Sequence, residues 1–171
     1  MTDVLIHSAR ALPPVGPQAV AEHRDAIDLL EAEVNRDLAD RPRITDLIGG
    51  NPLRMMYANH HHHALFLSVV FRLTAPDLLA RTVPWVYRAY QSHGFSYEYF
   101  PVALRAWREA IATHLSATSA EAIVPYYDWL LEHHERFIEA AEARLSEPPA
   151  VAFERSSDAQ AFLAGLLQGR Y

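Results

Sequence analysis

Residues 85–107, WVYRAYQSHGFSYEYFPVALRAW, decide the fold, because two apolar helical patterns meet in them across a single break. The first pattern stops at His93-Gly94. The second starts after Tyr97 or Glu98 and places Phe100, Leu104, Trp107, Ile111 and Leu115 at helical steps of four, three, four and four, a strong amphipathic stripe. Two helices joined by a tight glycine-containing corner must pack on others to bury those stripes, which points to an all-α chain.

The rest of the chain agrees. Pro17 suits a first helical position, and Val20, Ile27, Leu30, Val34 and Leu38 then recur on one face of a helix ending near Asp40, where Pro42 stops it. Ile44 to Ile48 reads as a short helical turn before Gly49-Gly50. Asn51 caps a helix over about residues 52–73 with Pro52 at its first position; its stripe is Leu53, Met56, His60, Ala64, Leu67 and Phe71. The second half, ALFLSVVF, is apolar nearly all round and predicts central burial. A fourth helix runs from Pro76 or Asp77 to Ser92, kinked or restarted at Pro84.

A long helix begins at Ser119 and turns Ile123, Tyr127, Leu130, His134, Phe137 or Ile138, Ala141 and Leu145 inward, with Pro125 bending its first turns or marking its true start. The expected organisation is an irregular arm over 1–16, a helical domain over 17–146, and a linker followed by a short C-terminal helix over 147–171. Ser156 or Ser157 caps that last helix, and Phe162, Leu163, Leu166 and Leu167 form its apolar face.

Composition narrows the function. At 171 residues, half of them apolar, the chain suffices for one domain with a sizeable core. The net charge of -6 lacks the basic excess that binding nucleic acid or an anionic membrane requires. With no cysteine there are no disulfides, thiolate metal sites or thioether attachments. No apolar run approaches the roughly 18 residues of a membrane span, and the N-terminus has no basic segment, so a cytoplasmic location is expected.

Four consecutive imidazoles, His60 to His63, are the main chemical oddity. In a helix they point about 100 degrees apart, so they cannot all serve one site. His60 shares the stripe of Met56 and Ala64, and His63 follows three residues later; this pair faces a cavity or a neighbouring helix, with His61 and His62 more exposed. Ligand spacings of zinc or di-iron sites are absent, as are a nucleophile elbow, a phosphate loop and a dinucleotide fingerprint.

The 85–107 corner resembles the corner between the sixth and seventh helices of a globin. In bacterial globins it reads, loosely, as ligand histidine, three residues, glycine, a hydrophobe, polar residues, then an aromatic opening the next helix. Gly94, Phe95 and Phe100 fit that spacing, and the ligand position falls on Tyr90. Counting back by the separation usual in globins lands at Asn59 to His61, which makes His60 the distal-side residue by resemblance. The residues that pack on haem before the distal helix in globins have no aromatic counterpart here.

The resemblance implies a globin-like bundle of about six to seven helices plus the short C-terminal helix. It also implies a crevice between the third and fourth helices lined by Tyr57, His60, His63, Ala64, Tyr90 and His93. The expected ligand is a tetrapyrrole, haem or a noncovalent bilin, or a similar apolar molecule; if it is haem, Tyr90 or His60 are the candidate axial ligands. Arg54, Arg72, Arg81 and Arg88 are candidates to pair with its propionates. The expected role is a noncatalytic sensor or regulator. The rivals are a ligand-free interaction module, with 157–171 mediating dimerisation or partner docking, and an enzyme acting on haem or bilin.

Overall fold

The computed structural model describes residues 2–143, and these form nine helices with no strand among them. They are α1 (Thr2–Ala9), α2 (Pro17–Asp25), α3 (Ile27–Ala39), α4 (Ile44–Leu47), α5 (Leu53–Leu73), α6 (Asp77–Ser92), α7 (Tyr99–His114), α8 (Ala117–Glu132) and α9 (His134–Ala143). The chain is all-α, as the periodicity predicts. The expected linker and short helix over 147–171, the inward Leu145 and the docking role of 157–171 lie outside the described residues.

Several boundaries differ from expectation, each for a local reason. The arm over 1–16 is not irregular throughout: it begins with α1, whose Leu5 and Ala9 are fully buried. Ser8 ties that helix down, accepting from Trp129 Nε1 at 3.2 Å and lying 3.3 Å from His133 Nε2. The helix expected from Pro17 to Asp40 is interrupted at Ala26, and the long helix from Ser119 is interrupted at His133, which adds elements to the expected six or seven. Pro84 and Pro125 start nothing; both lie inside their helices. The segment ALFLSVVF is not buried all round, since Leu65, Phe66, Ser68 and Val69 keep part of their surface.

The starts of α7 and α8 follow from their sequences. Pro101 falls in the first turn of α7, where the missing N–H costs no hydrogen bond. Ser116 caps α8 by accepting from Ser119 N–H. The Glu22 carboxylate on α2 then accepts from the Ser116 and Ser119 hydroxyls, so one carboxylate joins α2 to the start of α8. These bonds, the Ser119 hydroxyl first, hold its pKa below the ordinary carboxylate value.

The helices pack as two groups. α7 lies against α3 and α8, and α5 against α2 and α3, while α6 is flanked by α1 and α9; α5 and α6 hardly touch each other. What holds α6 in register with the rest is the corner. Gly94 ends α6 with φ +89, a conformation that only glycine adopts without strain. Gly49, with φ +61, sits against it so closely that an added Cβ would lie 2.0 Å from the Gly94 carbonyl oxygen.

Ser96 N–H donates to the Leu47 carbonyl at 2.8 Å. Asn51, expected as a helix cap, instead uses its amide as a strap, with Nδ2 donating to the carbonyls of Ile48 at 2.7 Å and His93 at 2.6 Å. The turn around α4 therefore clasps the α6–α7 corner by backbone contact.

Candidate binding cavity

Because α5 and α6 stay apart, a cavity of about 500 Å³ opens between them, with α7 as its floor. From α5 it is lined by Met55, Asn59, His62, His63 and Phe66, with Ala58 exposed at the rim. From α6 come Val83, Trp85, Val86, Tyr87, Ala89 and Tyr90, with His93 exposed where that helix ends. Tyr99, Phe100, Ala103 and Trp107 supply the floor. The lining is mostly apolar, its polar groups come from α5, α6 and α7, and no charged residue belongs to it among the described residues. That is the usual composition of a small-molecule site, and the volume falls within the roughly 300–1,000 Å³ such sites occupy.

Of the six residues expected to line a crevice here, His60, His63, Tyr90 and His93 do so, while Tyr57 and Ala64 do not. The reason is a rotation of α5. Its most buried stripe, Met56, His60, Ala64, Leu67 and Phe71, packs largely into the filled core, and Ala64 is fully enclosed there. The cavity-facing stripe is the next one round, Met55, Asn59, His62 and Phe66, whose side chains are only half-buried. His62, expected to be the more exposed, is thereby a wall residue. His61 turns the other way, to Glu31 at 2.9 Å.

His60 is fixed at both nitrogens. Nδ1 lies 2.5 Å from Asn35 Oδ1, which can only accept, and Nε2 lies 2.8 Å from the Tyr99 hydroxyl. The ring is therefore the neutral tautomer with its proton on Nδ1, and Tyr99 donates to Nε2. Burial lowers its pKa to about 4. As an axial ligand to iron it would have to give up one of these bonds.

His63 is held at one nitrogen only, with Nε2 3.2 Å from the Tyr127 hydroxyl and the ring against Trp107, centroids 5.2 Å apart. Burial lowers its pKa to about 3, with the neighbouring His60 and His23 adding to the shift.

Tyr90 belongs to an aromatic cluster. Its ring stacks on Phe95 and on Phe100, each at a centroid distance of 5.1 Å, and meets Tyr99 edge-on at 5.9 Å. Burial pushes its phenol pKa far above the ordinary value, which keeps the proton on and disfavours a phenolate ligand. Its hydroxyl has no hydrogen-bond partner among the described residues. One turn earlier, Tyr87 stacks on Phe100 at 3.7 Å and its hydroxyl bonds His134 Nδ1 at 2.8 Å.

None of Arg54, Arg72, Arg81 and Arg88 lines the cavity; Arg81 is engaged with Asp77 at 3.4 Å on its own helix. No group of three or more His, Asp or Glu among the described residues is placed to hold a metal ion. No described helix is long and apolar enough to cross a membrane.

Neither a protein-family model, nor a curated protein, nor a solved structure matches this chain. The cavity has to be read from its own chemistry. Its residues suit a conjugated apolar group in shape and lining; of the two expected iron ligands, His60 is occupied and Tyr90 is held as a phenol, while His93 stands at the rim and His62 and His63 remain in the wall.

Proposed function

We propose that this protein is a noncatalytic, globin-like sensor or regulator that takes a tetrapyrrole or similar apolar molecule, without a covalent bond, between α5 and α6. The carrying observation is the cavity itself, kept between two helices that hardly touch. A closed apolar void of 500 Å³ would cost about 12 kcal/mol at ~24 cal/mol per Å³, as much as the whole stability of an ordinary domain. Such a space persists only if it exchanges with solvent through its rim or receives an occupant. Its aromatic walls favour a conjugated occupant, which gains by stacking on Tyr90, Phe100 and Trp107.

The two expected axial ligands do not favour haem. Haem would supply Lewis-acid and redox chemistry through an axial ligand; His60 is bonded elsewhere and Tyr90 is protonated, so His62 or His63 of the wall would have to hold it. With no arginine in the lining, the propionates of either pigment would stay at the rim, near the exposed Ala58 and His93. The absence of an activated nucleophile or a carboxylate from the lining supports binding over catalysis.

The test is an absorption titration of the purified protein with biliverdin and, separately, with haem. Biliverdin should bind with about 1:1 stoichiometry, shift its long-wavelength band and quench Trp85 and Trp107. A sharp Soret band with haem, altered in Tyr90→Phe, would restore the axial-ligand version. Absence of any spectral change with both pigments would overturn the tetrapyrrole reading.

A further inference from the structure

We propose that the occupant of the α5–α6 cavity is a neutral conjugated molecule carrying carbonyl acceptors, gripped from opposite walls by the imidazole N–H of His63 and the phenolic O–H of Tyr90. This deepens the cavity-binding reading and rests on it. Four observations lead here.

The first is that these two groups face the cavity unpaired. His63 spends Nε2 on Tyr127, whose hydroxyl has no other acceptor among the described residues and so donates; the imidazole proton then sits on Nδ1, the nitrogen left to the cavity. The Tyr90 hydroxyl is likewise without a partner among the described residues. A sealed donor without a partner would leave its desolvation uncompensated, whereas one facing a site is available to a ligand.

Second, neither atom is sealed. The fully enclosed, unpartnered side-chain atoms among the described residues are His23 Nε2, Arg41 Nε and His114 Nε2, and none of them lines this cavity. His63 and Tyr90 are surrounded by protein and still retain accessible surface, which the cavity accounts for.

Third, both are donors at neutral pH. Burial holds the Tyr90 phenol protonated and His63 in its uncharged form. Two donors on facing helices select acceptors on the ligand. Fourth, the lining holds no Arg, Asp or Glu, so a charge carried into it would be neither paired nor solvated. The buried part of the ligand is therefore uncharged. A quinone ring and the lactam ends of a bilin share this chemistry.

The experiment uses the full chain and three neutral probes: biliverdin dimethyl ester for the lactam source, menadione for the quinone source, and diphenylhexatriene, a hydrocarbon with no acceptor, as a reporter of the cavity that does not depend on the two donors. Wild type, Tyr90→Phe, His63→Leu and His63→Gln are compared by tryptophan quenching or probe fluorescence. Circular dichroism and Tm establish that each variant is folded.

One of the two carbonyl probes should bind wild type and lose about tenfold in affinity in Tyr90→Phe and in His63→Leu, with diphenylhexatriene within twofold throughout. His63→Gln, which keeps an N–H donor, should recover part of the loss. Which probe responds identifies the source. If diphenylhexatriene binds but the carbonyl probes bind all variants alike, or do not bind, the two-donor grip is overturned and the cavity reading stands. If diphenylhexatriene also fails, the cavity reading falls and this inference with it.

Discussion

The α6–α7 corner and the α5–α6 cavity share a helix and are built in opposite ways. At the corner, backbone meets backbone: Gly49 lies against Gly94, Ser96 is bonded to Leu47, and Asn51 straps two carbonyls. In the cavity the helices are held apart, and side chains face an open volume. The difference teaches that the clasp is what allows the gap. Two helices with apolar faces collapse together unless something fixes their axes elsewhere, and here α6 is pinned at its C-terminal end by the corner and along its flanks by α1 and α9. The closely packed region sets the dimensions of the open one.

The same contrast divides the histidines, and acid should expose it with the largest effect. His23 is fully enclosed in the filled core, one nitrogen on Ser68 and the other unpartnered, and burial lowers its pKa to about 4, as it does for His60. Above pH 6.5 neither folded nor unfolded chain protonates these rings, so the stability is complete. As pH falls from about 6.5 to 4 the unfolded chain takes up protons that the fold refuses, and stability drops until the folded rings titrate as well. The loss approaches about 3 kcal/mol for each of the two. His63, whose pKa is lowered to about 3 by burial and by the neighbouring His60 and His23, adds to this loss. Denaturation midpoints measured from pH 7.5 to 4 should fall steeply below pH 6.5, and a flat profile would contradict the enclosure of His23 and His60.

The clasp itself is tested next by one substitution on each side. Gly49→Ala drives a methyl into the Gly94 carbonyl at a positive φ and should cost about 4 kcal/mol, by steric conflict and backbone strain together. Gly94→Ala has its nearest neighbour at 3.8 Å, so it meets only the cost of φ +89, about 1–2 kcal/mol. Urea denaturation separates the two. Equal losses would mean that the close approach of Gly49 to Gly94 is not what holds the corner. Diphenylhexatriene binding should weaken in Gly49→Ala even under conditions where it remains folded, because the helix axes are no longer fixed.

The corner was legible in the sequence and the cavity was not, for physical reasons. A helix break at His93-Gly94 and a restart near Glu98 follow from local chemistry, since glycine and the following stripe dictate them whatever surrounds them. Helix α1 escaped because TDVLIHSA has no stripe long enough to register; it is helical through docking of Leu5 and Ala9 and the bonds of Ser8, all supplied by distant residues. Asn51 was read as a cap because its local context is that of a cap, while its actual partner His93 is remote in sequence.

In α5 the apolar stripe carries Ala64, which packs into the filled core, and the globin resemblance adds Tyr57, while Asn59, His62 and Phe66, which do face the cavity, lie on the adjacent stripe. An aromatic stripe reads the same whether it meets another helix or an open volume. Only the placement of both helices distinguishes the two.

Filling the cavity should have a smaller effect, and of the opposite sign. Ala89 lines it from α6 and is only half-buried, so Ala89→Leu adds apolar surface where there is room. Stability should rise by about 1 kcal/mol, a Tm gain of roughly 2–4 °C for a chain of this size, while diphenylhexatriene affinity falls at least tenfold. The same enlargement at Ala64, fully enclosed on the other side of α5, should instead destabilise by about 1–3 kcal/mol through overpacking. If both substitutions destabilised alike, the two faces of α5 would be equally filled.

The finest distinction lies within one turn of α6, between two tyrosines of the same cavity wall. Tyr87→Phe removes the bond to His134 Nδ1 but keeps the stack on Phe100, and the half-exposed imidazole can turn to water, so the cost should be about 1 kcal/mol. Tyr90→Phe removes a hydroxyl with no partner among the described residues while its ring keeps Phe95 and Phe100, so stability should change by less than about 0.5 kcal/mol or rise slightly. Thermal denaturation of the two variants in parallel measures the difference. A protein that tolerates Tyr90→Phe without loss has kept that hydroxyl for something other than its own fold, whereas a loss matching that of Tyr87→Phe would mean the hydroxyl has an internal partner and is not available to a ligand.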